Sequence, residues 1–127
     1  MPNVKTITVA QALYGCKARE IRFQNLETTK GTAFLSMLNL QKAVLGSRFA
    51  ALGAQDFNGC SALTTLVLPY NGVVVLNTDA LKNTPIVNGS GYVYVPSAQV
   101  ENYKANSSWS VHANQIRAME DYPDEVA

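Results

Sequence analysis

One spacing recurs along the chain: an apolar residue, two variable positions, an apolar residue, one variable position, an apolar residue. It stands at Val4/Ile7/Val9, Ala18/Ile21/Phe23, Leu40/Ala43/Leu45 and Leu63/Leu66/Leu68. The last three copies begin 22 and 23 residues apart. At such a period each repeat is one supersecondary unit, too small to bury its own apolar face, so neighbours must stack. A second ladder keeps the same period. Leu13-Tyr-Gly-Cys16, Phe34-Leu-Ser-Met37, Phe57-Asn-Gly-Cys60 and Leu81-Lys-Asn-Thr84 each set a large apolar residue three before a small or soft one. Two ladders of one period predict an α/β repeat fold, mostly β: a short solenoid of stacked coils.

Composition narrows the function classes. The chain has 127 residues, 47% of them apolar, and a net charge of +1. That is one domain's worth of chain with enough apolar material for a continuous core. A nucleic-acid footprint needs clustered Lys and Arg, and no basic run exists, so nucleic acid is set aside as a partner. No stretch approaches the length of an apolar membrane span. The first nine residues alternate like a strand and lack the apolar centre of a secretory signal. Either the product is used without classical export or a signal has been removed from it; the start at Met1 favours the first expectation.

The coils divide the chain as a single domain. Residues 1–17 read as an N-terminal strand and truncated repeat, and 18–86 as three leucine-rich coils. Residues 87–119 read as a final strand and a helical cap, and 120–127 as an acidic tail expected to be mobile. Each full coil opens with a short strand, turns at Asn25, Gly46-Ser47 or Pro69-Tyr-Asn-Gly72, and returns along a second face. Gly, Asn, Ser and Pro supply the turn chemistry there. The returns are Thr28-Thr29, Phe49 to Leu52 and Val73 to Leu76. Thr29 stands where Leu52 and Leu76 do, which predicts a looser back face in the first coil.

Val93-Tyr-Val95-Pro96 repeats the pattern of Leu66-Val-Leu68-Pro69, so it should pair beside the third coil's strand. Proline ends both copies, where no ladder donor is wanted. Ser97 is a candidate N-cap for a helix with Val100 and Tyr103 one turn apart. Trp109, Ala113, Ile116 and Met119 then recur at helical spacing, predicting a second short helix. An amphipathic helical cap of this kind would bury the terminal rung of a stack.

These residues carry a family resemblance. The Phe-x-x-Cys step, Asn83-Thr-Pro-Ile86 and Gly89-Ser-Gly-Tyr-Val-Tyr-Val-Pro96 resemble the BspA-type leucine-rich repeat. Ser97-x-x-Val-x-x-Tyr-Lys104 and Ser108-Trp-Ser-Val-His-Ala-Asn-Gln-Ile-Arg-Ala118 are similar to that family's terminal capping segment. Across residues 18–123 the resemblance implies a leucine-rich-repeat solenoid without enzymatic activity. Proteins of this likeness occur on bacterial cell surfaces and as small structural or tail-associated proteins of phages and prophages. The Asp121-Tyr-Pro123 ending is reminiscent of the phage versions. The implied setting is a phage virion, as capsid or tail decoration with host attachment. The alternative is a bacterial cell-surface or secreted adhesion module.

Candidate chemistry is sparse, and neither a catalytic residue nor a cofactor is expected. Cys16 and Cys60 share a rung two coils apart, roughly 10 Å at one strand spacing per coil. That exceeds the reach of a disulfide, so both read as buried packing thiols. His112, the single histidine, has no patterned nucleophile or metal partner. Asp56 and Asp79 occupy nearly equivalent turns and read as turn hydrogen-bond acceptors. Asn88-Gly-Ser90 and Asn106-Ser-Ser108 match a glycosylation pattern too common to carry weight. No metal site is expected.

Recognition is the remaining possibility. Strand side chains alternate, so inward ladders leave Glu20, Arg22, Lys42, Val44, Thr65, Val67, Tyr92 and Tyr94 outward. Glu20 and Lys42 would be neighbours. Of these, Arg22, Val44, Val67, Tyr92 and Tyr94 are the candidate binding residues, because tyrosine offers flat apolar area with a polar tip. Tyr92 and Tyr94 either face a partner or pack under the cap. Expected partners are other virion proteins, a host-surface protein or glycan, or further copies of the chain. The N-terminal edge strand Thr6-Ile7-Thr8-Val9 favours a homo-oligomer.

Overall fold

The computed structural model describes residues 19–23, 26–27, 34, 36–77 and 79–126. Expectations for Val4 to Ala18, Asn25 and Thr28-Thr29 lie outside the described residues, as do Cys16 and the N-terminal edge strand. Among the described residues the strands are β1 (Glu20–Phe23), β2 (Lys42–Leu45), β3 (Ala51–Leu52), β4 (Thr65–Val67), β5 (Val75–Leu76), β6 (Tyr92–Val95) and β7 (Ile116–Ala118). They form a five-stranded sheet in the order β1-β2-β4-β6-β7 and a two-stranded sheet of β3 and β5. All pairings are parallel. A parallel neighbour needs a crossover, and here each repeat supplies one.

The register expresses the period. Glu20 lies opposite Lys42, Lys42 opposite Thr65, Thr65 opposite Tyr92 and Tyr94 opposite Arg117, steps of 22, 23, 27 and 23 positions. The long step contains Asn83-Thr-Pro-Ile86 and the Gly89-Ser-Gly91 turn. First-ladder residues Ile21, Phe23, Leu40, Ala43, Leu45, Leu63, Leu66 and Leu68 are buried, as are second-ladder residues Phe34, Met37, Phe57, Cys60, Leu81 and Thr84. Thr84 tolerates an apolar rung because its hydroxyl donates to the Leu81 carbonyl at 2.7 Å. Phe23, Phe34 and Phe57 stack with centroids 5.7 and 4.8 Å apart.

A third line of contacts joins the repeats at the turns. Phe34 and Ser36 donate backbone hydrogen bonds to Asp56 and Asn58, and Phe57 and Gly59 donate to Ala80 and Lys82. Ser36, Gly59 and Asn83 occupy the same rung with φ of 54°, 80° and 62°. The turn therefore demands a left-handed residue, which glycine adopts freely and asparagine tolerates. A Cβ at Gly59 would meet Ser36 Oγ at 2.8 Å, but that hydroxyl can rotate away. Backbone strain then sets the cost of Gly59→Ala at about 1–2 kcal/mol. The expected signature is a lower urea midpoint at unchanged slope.

The C-terminal quarter departs from expectation in two places. Ser97 does not cap a helix with its side chain. A 3-10 turn at Ser97–Gln99 leads into α1 (Val100–Ala105), and Ser97 bonds Glu120 through its amide and its hydroxyl, at 2.9 and 3.0 Å. The second helix is shorter than its spacing implied. A 3-10 segment at Ser110–Gln115, kinked at His112, ends where the Ile116 amide bonds the Ala113 carbonyl. The chain then runs extended as β7 beside β6, which has an edge to offer, and Ile116 is buried there. Ile116 and Met119 are not helical neighbours.

Tyr103 and Trp109 are buried and meet edge-on at 5.3 Å. The Val74 amide donates to Tyr103 Oη at 3.0 Å, and Trp109 Nε1 donates to the Val74 carbonyl at 2.7 Å. Val75 already bonds back to Ala50, so Val74 turns its polar groups the other way. The two aromatics take the groups that a further strand beside β5 would take. Unpaired buried backbone is costly, and here the edge is satisfied by side chains. Burial pushes the Tyr103 phenol up to about 12.

Candidate interaction face

Alternation along the strands gives the large sheet a face turned away from the core. One register row carries Arg22, Val44, Val67, Tyr94 and Arg117; the next carries Glu20, Lys42, Thr65 and Tyr92. The five candidate residues thus fall on one surface, four of them in a single row. Glu20 and Lys42 are neighbours as expected, although Glu20 pairs with Arg22 of its own strand.

Exposure along the row corrects the reading of that surface. Arg22 is exposed, Val44 and Tyr92 are half-buried, but Val67 is 0% and Tyr94 2% exposed. Tyr94 is not available to a partner, because Tyr122 packs edge-on against it at 5.5 Å. Of the tail expected at 120–127, the described residues run through a 3-10 turn (Met119–Asp121) and the single helical turn α2 (Pro123–Val126). Tyrosine burial under the C-terminal segment is the outcome for Tyr94. Tyr92 lies beneath Arg117, whose guanidinium carbon is 3.3 Å from its ring centroid.

Arg117 and Tyr122 are the residues that sequence reasoning missed here. The Arg117 guanidinium carbon is also 4.6 Å from the Tyr122 centroid, and its Nη1 donates to Tyr94 Oη at 3.3 Å. Such cation–ring contacts are worth about 0.5–2 kcal/mol. Burial raises the Tyr94 phenol above its usual range, opposed by Arg117. A signal for Arg117 existed: it stands one period of 23 after Tyr94.

Elsewhere the described residues offer little chemistry. The Cys60 thiol is buried, donates to the Phe34 carbonyl at 2.9 Å, and is pushed by burial up to about 11. Little of it is thiolate near neutrality, so it is a poor nucleophile. Asp56 is buried and accepts the Gly53 amide at 2.7 Å, as its turn position suggested. His112 lies half-buried beside a hollow of about 250 Å³ lined by Leu76, Asn77, Ser108 and Val111, and burial lowers its pKa. Among the described residues no group of three or more His, Cys, Asp or Glu is placed to hold a metal ion. No helix among them is long and apolar enough to cross a membrane.

The family model described as BspA type Leucine rich repeat region matches residues 1–103, in six copies. The matched span contains β1 through β6 and continues through the N-terminal residues outside the described set. Comparison with curated proteins gives no match, and comparison with solved structures gives none.

Proposed function

Given that this chain belongs to the BspA-type leucine-rich repeat family, we propose that it is a non-enzymatic protein-binding module. Its repeats stack as a short solenoid closed by the C-terminal segment, and it binds through the outer face of the large sheet. The observation that carries this reading is the register row itself. Parallel strands at a fixed spacing set side chains from four successive repeats on one continuous face, the kind of extended surface that repeat proteins use for recognition. The non-enzymatic reading rests on the resemblance, which implies no catalytic residue.

The available part of the face is its first half. On β1 and β2, Lys42 and Val44 are half-buried and Glu20 and Arg22 exposed, a mixture of apolar area and charge. Partners are proposed to be other virion proteins or a second copy, with a host-surface protein or glycan as a further ligand. The narrower setting, a phage virion, rests on the resemblance of the terminal segment. The bacterial-surface setting has the family membership itself behind it.

One experiment addresses both levels. The chain is expected in purified phage particles by mass spectrometry; recovery with washed cells and not with particles would move it to the bacterial surface. Val44→Asp should lower its retention in whichever fraction holds it, at unchanged melting temperature. A charge set into a recognition core costs about 2 kcal/mol or more, roughly thirtyfold in affinity. Undiminished retention of Val44→Asp and Lys42→Glu variants would remove the face from consideration.

A further inference from the structure

Val67 and Tyr94 are buried on the side of the sheet that faces away from the central core, and neither belongs to the core cluster. The stretch lying on that side is the C-terminal segment. Tyr122 meets Tyr94 edge-on and lies against Arg117. Pro123 and Val126 line an open hollow of about 420 Å³ together with Pro69, Pro96 and Met119. Pro69 stands two residues beyond Val67 and Pro96 two beyond Tyr94, so the segment crosses the ends of β4 and β6. Glu125 is close enough for its charge to act on the Tyr94 phenol.

The same segment is lightly held. Asp121, Pro123, Asp124 and Glu125 are exposed, and only Tyr122 and Val126 are half-buried. The backbone hydrogen bonds seen for Tyr122, Glu125 and Val126 end on Met119 or Tyr122, within the segment itself. Elements with few buried contacts and local hydrogen bonds open most readily. Beyond the Ser97–Glu120 bonds at its start and the Tyr122 ring on Tyr94 and Arg117, the segment has little to keep it on the apolar surface it covers.

We propose that the face around Val67, Tyr94 and Arg117 is a docking site for an acidic peptide segment carrying an aromatic–proline step. In the resting chain its own Tyr122–Val126 occupies that site as a displaceable strap. The seated strap defines the partner's chemistry. An aromatic ring packs on Tyr94 and under the Arg117 cation, a proline lies beside Pro69 and Pro96, and carboxylates follow. A partner segment of this kind gains the same contacts, and displacement joins the covered half of the face to the open half at Val44. The inference rests on the protein-binding reading above and extends it to a switchable surface.

The test uses the chain shortened to end at Asp121 and a synthetic peptide of residues 119–126, followed by backbone-amide NMR. The shortened chain should bind the peptide with shifts at Val67, Tyr94 and Arg117. The intact chain should bind about tenfold more weakly, the factor expected if roughly one molecule in ten is open. A peptide with alanine for its tyrosine should bind about tenfold more weakly than the original, the loss of one aromatic contact of ~1.4 kcal/mol.

A folded shortened chain that ignores the peptide, or an intact chain that binds it equally well, overturns the proposal. So does a shortened chain that fails to fold, since the segment is then integral to the fold. Hydrogen exchange on the intact chain tests the strap independently. The amides of Tyr122, Glu125 and Val126 should exchange at least about a hundredfold faster than those of β4 and β6; equal protection sinks the strap. Failure here leaves the wider reading standing, because Lys42 and Val44 lie on the open half and carry their own test.

Discussion

Trp109→Ala should lower the unfolding free energy by about 3–5 kcal/mol, the range for emptying a buried large aromatic site. Domains of this size are stable by only about 5–15 kcal/mol, so a substantial unfolded population is expected on mild warming. The side chain is wholly buried and its indole nitrogen satisfies the Val74 carbonyl. Two smaller changes separate packing from hydrogen bonding. Trp109→Phe keeps most of the apolar area but strands that carbonyl, at a cost of about 1–3 kcal/mol. Tyr103→Phe strands the Val74 amide in the same way. Both act on one residue's backbone and the rings touch, so the double variant should depart from additivity by about 0.5–3 kcal/mol. Urea denaturation followed by far-ultraviolet circular dichroism measures all four, since the tryptophan signal is lost in every variant but Tyr103→Phe. A cost below about 1 kcal/mol for Trp109→Ala would mean that the open edge of β5 is satisfied by something else.

The importance of that pair was only half legible. Apolar spacing placed Tyr103 and Trp109 on inward faces, but nothing local announces which backbone groups they reach. Val74 lies 29 and 35 positions away in sequence. The repeat core was legible because its information is redundant: each rung is written several times, and one deviant residue, such as Thr84, does not hide it. Ser36, Gly59 and Asn83 stand at one position of the second ladder, but that this position is left-handed came only from the dihedral angles and the inter-repeat hydrogen bonds. β7 was misread as helix for the opposite reason. Three residues hold too little period to discriminate, and Trp109, Ala113 and Ile116 fit a helical face by chance. The deciding term was the edge of β6, a tertiary feature. The repeat period itself contained the correction, since Val93, Tyr94 and Val95 find Ile116, Arg117 and Ala118 at a constant 23 positions.

The proposed face divides similarly. Alternation gives the direction of a side chain, and the register confirms that Val44, Val67 and Tyr94 point the same way. Alternation says nothing about what lies on top. Val67 sits in mid-sheet beside Tyr94, and Tyr94 is covered by Tyr122 from a polar, proline-broken segment at the far end of the chain. Acidic composition argued for a solvated tail, and five of its residues, Glu120, Asp121, Pro123, Asp124 and Glu125, are indeed exposed. One tyrosine outweighs them, because Arg117 and Tyr94 together give its ring an apolar and electrostatic seat that water does not match.

The aromatic column inside the repeats supplies the second large effect. Phe57 is fully buried and stacks on Phe34 at 4.8 Å, which stacks in turn on Phe23 at 5.7 Å. Phe57→Ala is expected to cost about 3–5 kcal/mol through lost burial and the cavity left behind. Loss of the ring contact with Phe34 adds about 0.5–1.5 kcal/mol. The following repeat carries Leu81 at that rung, also buried, so the stack accepts a branched aliphatic side chain of smaller volume. Phe57→Leu should therefore cost no more than about 1.5 kcal/mol, as conservative hydrophobic exchanges do. Both values come from denaturant midpoints, with an unchanged slope showing that the whole domain still unfolds as one unit. A reduced slope in Phe57→Ala would show the repeats on either side parting company. That result would assign to Phe57, whose ring stacks on Phe34 of the preceding repeat, part of the coupling that makes the repeats unfold together.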